Sequence, residues 1–193
     1  MSSINYSKPR AIAIGLGANI KSPIGPPILT LIKARPLIEQ ALTQWIKSLN
    51  QVTKNNLSKS SSLNFKWSPL YKTHPIGGPS KQPAFINAAL MICGKDLSKI
   101  SPSELAAKNL LKRLAEIEKI FGRDRKALEI HWGPRSLDLD LLAWGDLQIN
   151  TPELILPHPR LIERDFVLIP LSEALNKGEN KPQRIPPQKG WSE

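Results

Sequence analysis

The stretch that most constrains the fold is residues 131–144, HWGPRSLDLDLLAW, because polar and apolar side chains alternate in it after a Gly-Pro pair. In a β-strand, successive side chains point to opposite faces of the sheet, so the leucines of this run would share one face. Asp138 and Asp140 would share the other face, with their Cα atoms roughly 6.5 to 7 Å apart. Like charges at that separation repel each other unless a cation lies between them. The pattern therefore predicts a strand with two carboxylates on one face and raises the question of whether a cation lies between them.

A bare Asp-x-Asp motif is weak evidence for a metal site, because a strand whose polar face meets water carries the same pattern. The surrounding cations favour a polyphosphate site, and they are Arg123, Arg125, Lys126, Arg135, His158, Arg160 and Arg164. A guanidinium group can bond two phosphate oxygens at once. Mg²⁺ commonly combines one or two protein carboxylates with substrate phosphates. Each arginine taken alone is more typical of a solvated surface, so the prediction depends on their clustering around the aspartates.

The composition is that of an ordinary globular chain. Its 193 residues are 40% hydrophobic and 22% charged, which suits one domain with a sizeable core. No apolar run approaches the roughly 18 residues of a membrane span, and the polar start MSSINYSKPR does not resemble a signal peptide. We therefore expect a cytoplasmic protein with no membrane partner. The single cysteine, Cys93, lies in an apolar run and is expected to be a core residue.

The net charge of +11 raises the question of nucleic-acid binding, because clustered lysine and arginine residues are typical of phosphate-backbone contacts. Most of this charge falls in residues 1–10, 47–66 and 176–193. These segments have the composition of tails and of a long connector, so a solvated basic periphery explains the charge. We expect no nucleic-acid partner.

The predicted elements follow the order β, α, β, β, α, β. The first three strands are residues 11–20, 63–73 and 84–93, and the aspartate-bearing run is the fourth. The first helix covers 26–49, and Pro36 should kink or restart it. This order predicts an α+β fold of the ferredoxin-like type, which is an antiparallel sheet with helices packed on one face and, here, a C-terminal extension.

The second helix has the clearest boundaries. Ser101 is predicted to cap it, with Pro102 at its first position, Glu104 completing a capping box and Gly122 ending it. Its apolar stripe consists of Leu105, Leu111, Leu114, Ile117 and Phe121.

The domain organisation follows from the segments that lack periodic patterns. Residues 1–10 are predicted to be a flexible N-terminus, 11–175 a single domain, and 176–193 a flexible tail. The Ser-, Asn- and Lys-rich residues 47–62 are expected to form an inserted loop. The Gly/Pro-rich loop 74–83 is long for a hairpin turn and is therefore a candidate functional loop.

Several motifs resemble one enzyme family. The segments FGRDRK, HWGPRSLDLDLL and LPHPRLIERDFVLIPLSEAL, together with GLGAN and SPLYKTHPIGGPSKQPAFINAAL, resemble the 6-hydroxymethyl-7,8-dihydropterin pyrophosphokinases of folate biosynthesis. The resemblance extends over residues 11–175. It implies that diphosphate is transferred from ATP to the pterin hydroxymethyl oxygen by in-line attack on the β-phosphorus, with release of AMP. It also implies two Mg²⁺ ions held by Asp138 and Asp140, and small-molecule substrates bound by a monomer.

The resemblance also implies roles for individual residues. Catalytic residues would be Arg123, Arg135, Asp138 and Asp140, and ATP contacts would be Glu118, Arg123, Arg125, Trp132, Arg135, His158 and Arg164. The pterin-binding set would be Thr73, His74, Ile76, Phe85, Asn87 and Phe166. A flat heteroaromatic ring needs stacking faces and an amide that both donates and accepts hydrogen bonds, which the two phenylalanines and Asn87 would supply. Without the resemblance, both phenylalanines would be assigned to the core, and a structural role for Glu118 stays open.

The chain departs from the family's usual pattern at three places. His131 stands where an arginine is frequent, Phe85 stands where a tyrosine is frequent, and the loop between Arg125 and Trp132 is slightly longer. Two alternatives of the same fold class are a two-metal nucleotidyltransferase, which would need a third carboxylate, and an RNA-binding module. The RNA-binding reading would need an aromatic-basic signature on the sheet, and none is visible in the sequence.

Overall fold

The computed structural model describes residues 10–52, 63–123, 132–159, 161 and 183–192, and it confirms the ferredoxin-like α+β fold. The strands of the main sheet are β1 (Ile12–Ala18), β2 (Leu63–Trp67), β3 (Tyr71–Thr73), β4 (Phe85–Gly94), β5 (Asp138–Trp144) and β8 (Gln183–Arg184). They follow the order β5-β1-β4-β3-β8, with β2 also paired to β4, and every pairing is antiparallel. A separate two-stranded sheet is formed by β6 (Ile149–Asn150) and β7 (Ile155–Leu156).

The aspartate-bearing run forms β5 with the predicted alternation. Leu139 and Leu141 are buried in the core, whereas Asp138 and Asp140 are only half-buried. Across the β1–β5 pairing, the two aspartates lie opposite Gly17 and Gly15, respectively. The carboxylate pair therefore stands on one face of the sheet, beside a strand that has no side chains at those two positions.

Two long helices cover the core face of the sheet. Helix α1 (Pro27–Val52) packs on β1 and on helix α3 (Glu104–Ile120), which in turn packs on β5. A one-turn helix, α2 (Lys95–Ser98), follows β4 and was not predicted. The predicted restart at Pro36 is wrong, since α1 continues through this exposed position. None of the described helices combines the length and the apolar character that crossing a membrane requires.

The predicted start of α3 needs correction. Its N-cap is Ser103, which has extended backbone (φ −149°, ψ 153°) and whose side chain accepts a hydrogen bond from the backbone N–H of Ala106. Ser101 and Pro102 therefore precede the helix, and no capping box with Glu104 forms at Ser101. Leu105, predicted to lie in the apolar stripe, is 82% exposed, because at about 100° per residue it lies on the opposite side of the helix from the buried Leu114. The end at Gly122 is as predicted, with a φ of +82°.

Replacing the two serines separately tests which one caps the helix. Ser103→Ala should lower the free energy of unfolding by about 1 kcal/mol, because a backbone N–H of the first turn loses its acceptor. Ser101→Ala is the matched control and should change it by less than about 0.5 kcal/mol. Urea unfolding monitored by circular dichroism measures both values, and a larger loss in the Ser101 variant would show that the cap lies two residues earlier.

The predicted strand 63–73 is divided into β2 and β3 by residues 68–70. Both halves pair with β4. Between them, Ser68 also bonds β4: its N–H donates to the Ala89 carbonyl, and its hydroxyl accepts from the Ala89 N–H. Pro69 cannot donate to a ladder, which accounts for the interruption at this point.

Residues 183–192, predicted to belong to a flexible tail, pack on the domain. Strand β8 pairs with β3, and Trp191 is 7% exposed against Trp67, with ring centroids 5.0 Å apart. The Arg35 guanidinium lies 4.9 Å from the Trp67 ring and bonds the Ser192 carbonyl. The burial of the Trp191 indole and the pairing of β8 with β3 stabilise this segment against the domain, although its polar composition had suggested a flexible tail.

Candidate active site

The carboxylate of Asp138 lies between two guanidinium groups. Its Oδ1 accepts a hydrogen bond from Arg123 Nη1, and its Oδ2 accepts one from Arg135 Nη1 at 2.8 Å. Asp140 stands two residues further along the same face of β5. The structure therefore brings together the four residues predicted to be catalytic, with two cations and two carboxylates in one cluster.

Glu118 lies beneath this cluster and ties α3 to β5. Its side chain is 0% exposed, and its Oε1 accepts hydrogen bonds from the backbone N–H of Leu139 at 2.7 Å and from Arg123 Nη1 at 3.1 Å. The same Arg123 nitrogen also donates to the Leu137 carbonyl at 3.2 Å. The resemblance had placed Glu118 among the ATP contacts, whereas this complete burial supports a role in orienting Arg123 and the strand.

A polar network that the sequence reading missed orients Arg135. The side chain of Asn19 accepts a hydrogen bond from the backbone N–H of Arg135 at 2.7 Å, and its Nδ2 donates to Gln82 Oε1 at 3.2 Å. Gln82 Nε2 in turn donates to the carbonyls of Trp132, at 3.1 Å, and of Gly77, at 3.0 Å. Asn19 follows the Gly-containing end of β1 in the GLGAN motif, which was the only signal in the sequence for this network.

Trp132 packs against the candidate functional loop 74–83. It is 41% exposed and has a φ of +57°, a left-handed backbone conformation that is unfavourable for a bulky residue. Its ring lies against Gly77 and its carbonyl against Gly78, both so closely that a Cβ atom at either position would clash. Because neither position has a side chain, this part of the loop 74–83 can approach Trp132 closely. Both glycines also have positive φ values, a backbone conformation that glycine adopts readily.

Two of the residues predicted to read the pterin ring lie on β4, which is separated from β5 and its carboxylates by β1. Phe85 and Asn87 are two residues apart on β4 and so share a face, and Asn87 Nδ2 donates to Thr73 Oγ1 of β3 at 2.6 Å. Gly17 of β1 pairs with both Asn87 and Asp138, so these two side chains flank it. Because neighbouring strands are about 4.8 Å apart, the Cα atoms of Asn87 and Asp138 are roughly 10 Å apart across the sheet.

The remaining predicted residues are more scattered. His158 is half-buried, and its backbone N–H donates to the Leu142 carbonyl at 2.7 Å, which holds it beside β5. His74 and Ile76 are exposed in the loop after β3. Three predicted site residues and one of the noted departures lie outside the described residues: Arg125, Arg164, Phe166 and His131.

Comparison with known proteins agrees with the resemblance. The model of the family described as 7,8-dihydro-6-hydroxymethylpterin-pyrophosphokinase matches residues 13–176. A 2-amino-4-hydroxy-6-hydroxymethyldihydropteridine pyrophosphokinase of Bacillus subtilis is 36% identical over 143 residues, which cover 74% of each chain. The protein of the same name from Haemophilus influenzae is 31% identical over 160 residues, 83% of this chain and 78% of its own. A folate synthesis bifunctional protein of Arabidopsis thaliana is 44% identical over 106 residues, which cover 55% of this chain and 19% of that longer protein.

Proposed function

The chain belongs to the 7,8-dihydro-6-hydroxymethylpterin pyrophosphokinase family, and on that premise we propose that it transfers diphosphate from ATP to 6-hydroxymethyl-7,8-dihydropterin in folate biosynthesis. The hydroxymethyl oxygen attacks the β-phosphorus, the bond from that phosphorus to the α,β-bridging oxygen breaks, and AMP leaves. The observation that carries the proposal is the cluster of Arg123, Arg135, Asp138 and Asp140 on the sheet face, within a chain that matches the family over nearly its whole length.

The donor set at Asp138 and Asp140 suits Mg²⁺, which prefers oxygen ligands and usually takes one or two carboxylates together with phosphates. Both side chains are half-buried, and their cross-strand partners Gly15 and Gly17 leave room above the sheet. We propose that this pair holds two Mg²⁺ ions together with the ATP phosphates. The bound ions would neutralise phosphate charge and polarise the phosphorus–oxygen bonds.

Arg123 and Arg135 complete the charge balance of the site. In the structure both guanidinium groups bond Asp138, and this supports a role for them beside the proposed metal site. We propose that they exchange part of this bonding for phosphate oxygens when ATP binds and neutralise charge that shifts during transfer. Glu118 would hold Arg123 in position during this exchange. Positioning and charge neutralisation carry most phosphoryl transfers, so no general base is assigned.

On the pterin side, we propose that Asn87 reads the ring edge and that Phe85 supplies a stacking face, with backbone groups of Thr73, His74 and Ile76 lining the pocket. Arg135 lies 5.8 Å from the Phe85 ring centroid, and this proximity supports a proposal in which the phosphate and pterin sites adjoin. Phe166 would supply the second face. Among ATP contacts we propose Arg125, Trp132, His158 and Arg164 in addition to the two clustered arginines.

The alternative activities have less support. A two-metal nucleotidyltransferase would need a third carboxylate, and in the described ranges no three His, Cys, Asp or Glu side chains gather as metal ligands. We propose ATP and the pterin as the partners, with no nucleic acid and no membrane. We propose a cytoplasmic monomer in which residues 11–175 form the catalytic domain.

The activity is tested with purified protein, Mg²⁺, ATP and 6-hydroxymethyl-7,8-dihydropterin. We expect release of one AMP for each pterin diphosphate formed, measured by chromatography of the nucleotides. The matched control replaces the substrate with 6-methyl-7,8-dihydropterin, which has no hydroxyl to attack and should yield no AMP. Release of ADP instead of AMP would mean that a single phosphoryl group is transferred, and that result would contradict the proposal.

A further inference from the structure

We infer that Gly17 is a positioning residue for the pterin-reading amide of Asn87, and that Gly17 and the Thr73 hydroxyl together set the orientation of that amide. The inference rests on the proposed function and extends it to two groups with no assigned role: the missing side chain at position 17 and the side-chain hydroxyl of Thr73. The specificity of the pterin pocket should therefore depend on the space that Gly17 leaves above β1.

The first observation is the close approach of Asn87 to β1. A Cβ atom built at Gly17 would lie 2.7 Å from Asn87 Oδ1 and 3.8 Å from Phe85 Cδ1. The first separation is shorter than real Cβ contacts, so any side chain at position 17 must displace the amide. Gly17 lies within regular β1 and its φ is outside the left-handed range, so its backbone would accept alanine without strain. Glycine is therefore needed here for space and not for conformation.

The second observation is the bond at the other end of the same amide. Asn87 Nδ2 donates to Thr73 Oγ1 at 2.6 Å, so the nitrogen faces β3 while the oxygen faces β1. The Asn87 residue is 7% exposed, which leaves little room for the amide to turn over. A reversed amide would exchange donor and acceptor toward the ring, and buried groups that lose their partners weaken binding strongly.

The position of Gly17 explains why this matters for the reaction. It is the cross-strand neighbour of both Asn87 and Asp138, so it lies between the residue that reads the pterin and the residue that would hold metal. Under the proposed function, the hydroxymethyl group and the ATP β-phosphate would meet between these two residues. A substitution here could therefore act through the amide or through the carboxylate, and the test has to separate these two routes.

A double-mutant cycle separates them. We expect Gly17→Ala to weaken pterin binding about 10-fold, because one buried hydrogen bond is displaced, and to change the MgATP dissociation constant less than about 2-fold. In the Asn87→Ala background, which removes the displaced amide, the same substitution should change pterin affinity less than about 2-fold. Isothermal titration calorimetry with each substrate gives both constants. Equal effects in both backgrounds, or an equal loss of MgATP affinity, would overturn the inference.

Thr73 supplies a second test that does not depend on the folding of the glycine variant. Thr73→Val keeps the shape of the side chain but removes the acceptor, and should weaken pterin binding about 10-fold. Thr73→Ser keeps the hydroxyl and should restore affinity to within about 3-fold of the unmodified protein. Unchanged pterin affinity in Thr73→Val would refute the orientation role. Failure of the proposed function itself would be recognised separately, since the unmodified protein would then neither bind the pterin nor release AMP.

Discussion

Asp138→Asn and Asp140→Asn are each expected to lower the rate of AMP release by at least about 10³-fold while the protein stays folded. Asparagine keeps the volume of the side chain but removes the negative charge that a divalent cation requires. Both carboxylates lie on the outward face of β5, so neither substitution disturbs the leucines that fill the core. The measurement is kcat at saturating ATP and pterin, with a thermal unfolding scan of each variant.

The two variants should differ in stability. Asp138 bonds the guanidinium groups of Arg123 and Arg135, so its replacement leaves two partly buried cations with fewer acceptors and should lower the melting temperature more than replacement of Asp140. Asp146→Asn, in the exposed turn after β5, is the matched control and should retain the unmodified kcat. Full turnover in the Asp140 variant would remove the metal pair from the mechanism.

Glu118→Gln is expected to lower the free energy of unfolding by about 3 kcal/mol and to reduce kcat as well. The amide oxygen can still accept from the Leu139 N–H and from Arg123 Nη1, which share Oε1 of Glu118, but it carries no negative charge to balance the guanidinium. The guanidinium then loses one of its two anionic partners inside the protein. Glu116→Gln, an exposed site on the same helix, is the matched control and should change the unfolding free energy by less than about 0.5 kcal/mol.

The kinetic pattern of the Glu118 variant distinguishes a positioning residue from an ATP contact. If Glu118 acts through Arg123, kcat should fall, the KM for ATP should rise because Arg123 is itself a proposed phosphate contact, and the free energy of unfolding should fall by about 3 kcal/mol. If it touches the nucleotide instead, the KM for ATP should rise while the unfolding free energy stays near that of the unmodified protein. Urea unfolding and steady-state kinetics on the same preparation decide between these roles.

The parts of the fold that follow from local periodicity could be predicted. The alternation over residues 138–141 identified the strand and the shared face of Asp138 and Asp140, although the register with β1 shifts at Leu142, where two successive leucines are buried. The start of α3 could not be located, because Ser101 and Ser103 are both acceptable caps and only the packing of the helix selects one.

The supporting contacts of the site could not be predicted for a different reason. Asn19 bonds Arg135 across 116 residues of sequence, and Glu118 bonds the backbone of Leu139 across 21. Such pairs leave no periodic pattern, because their spacing is set by the topology of the sheet. The packing of Trp191 was missed because the polar, Pro-rich segment around it outweighed a single indole in the reading of composition.

The pairing of β8 with β3 has a consequence for the order in which the protein is made. Strand β5, which carries the two carboxylates, and its sheet neighbours β1 and β4 are complete once residue 144 has been synthesised. The outer side of β3 gains β8 only after residue 184 emerges, and Trp191 then bonds Ser68 across 123 residues. During translation β1, β4 and β5 can therefore assemble first, and the outer edge of β3, the strand that carries Thr73, is covered last.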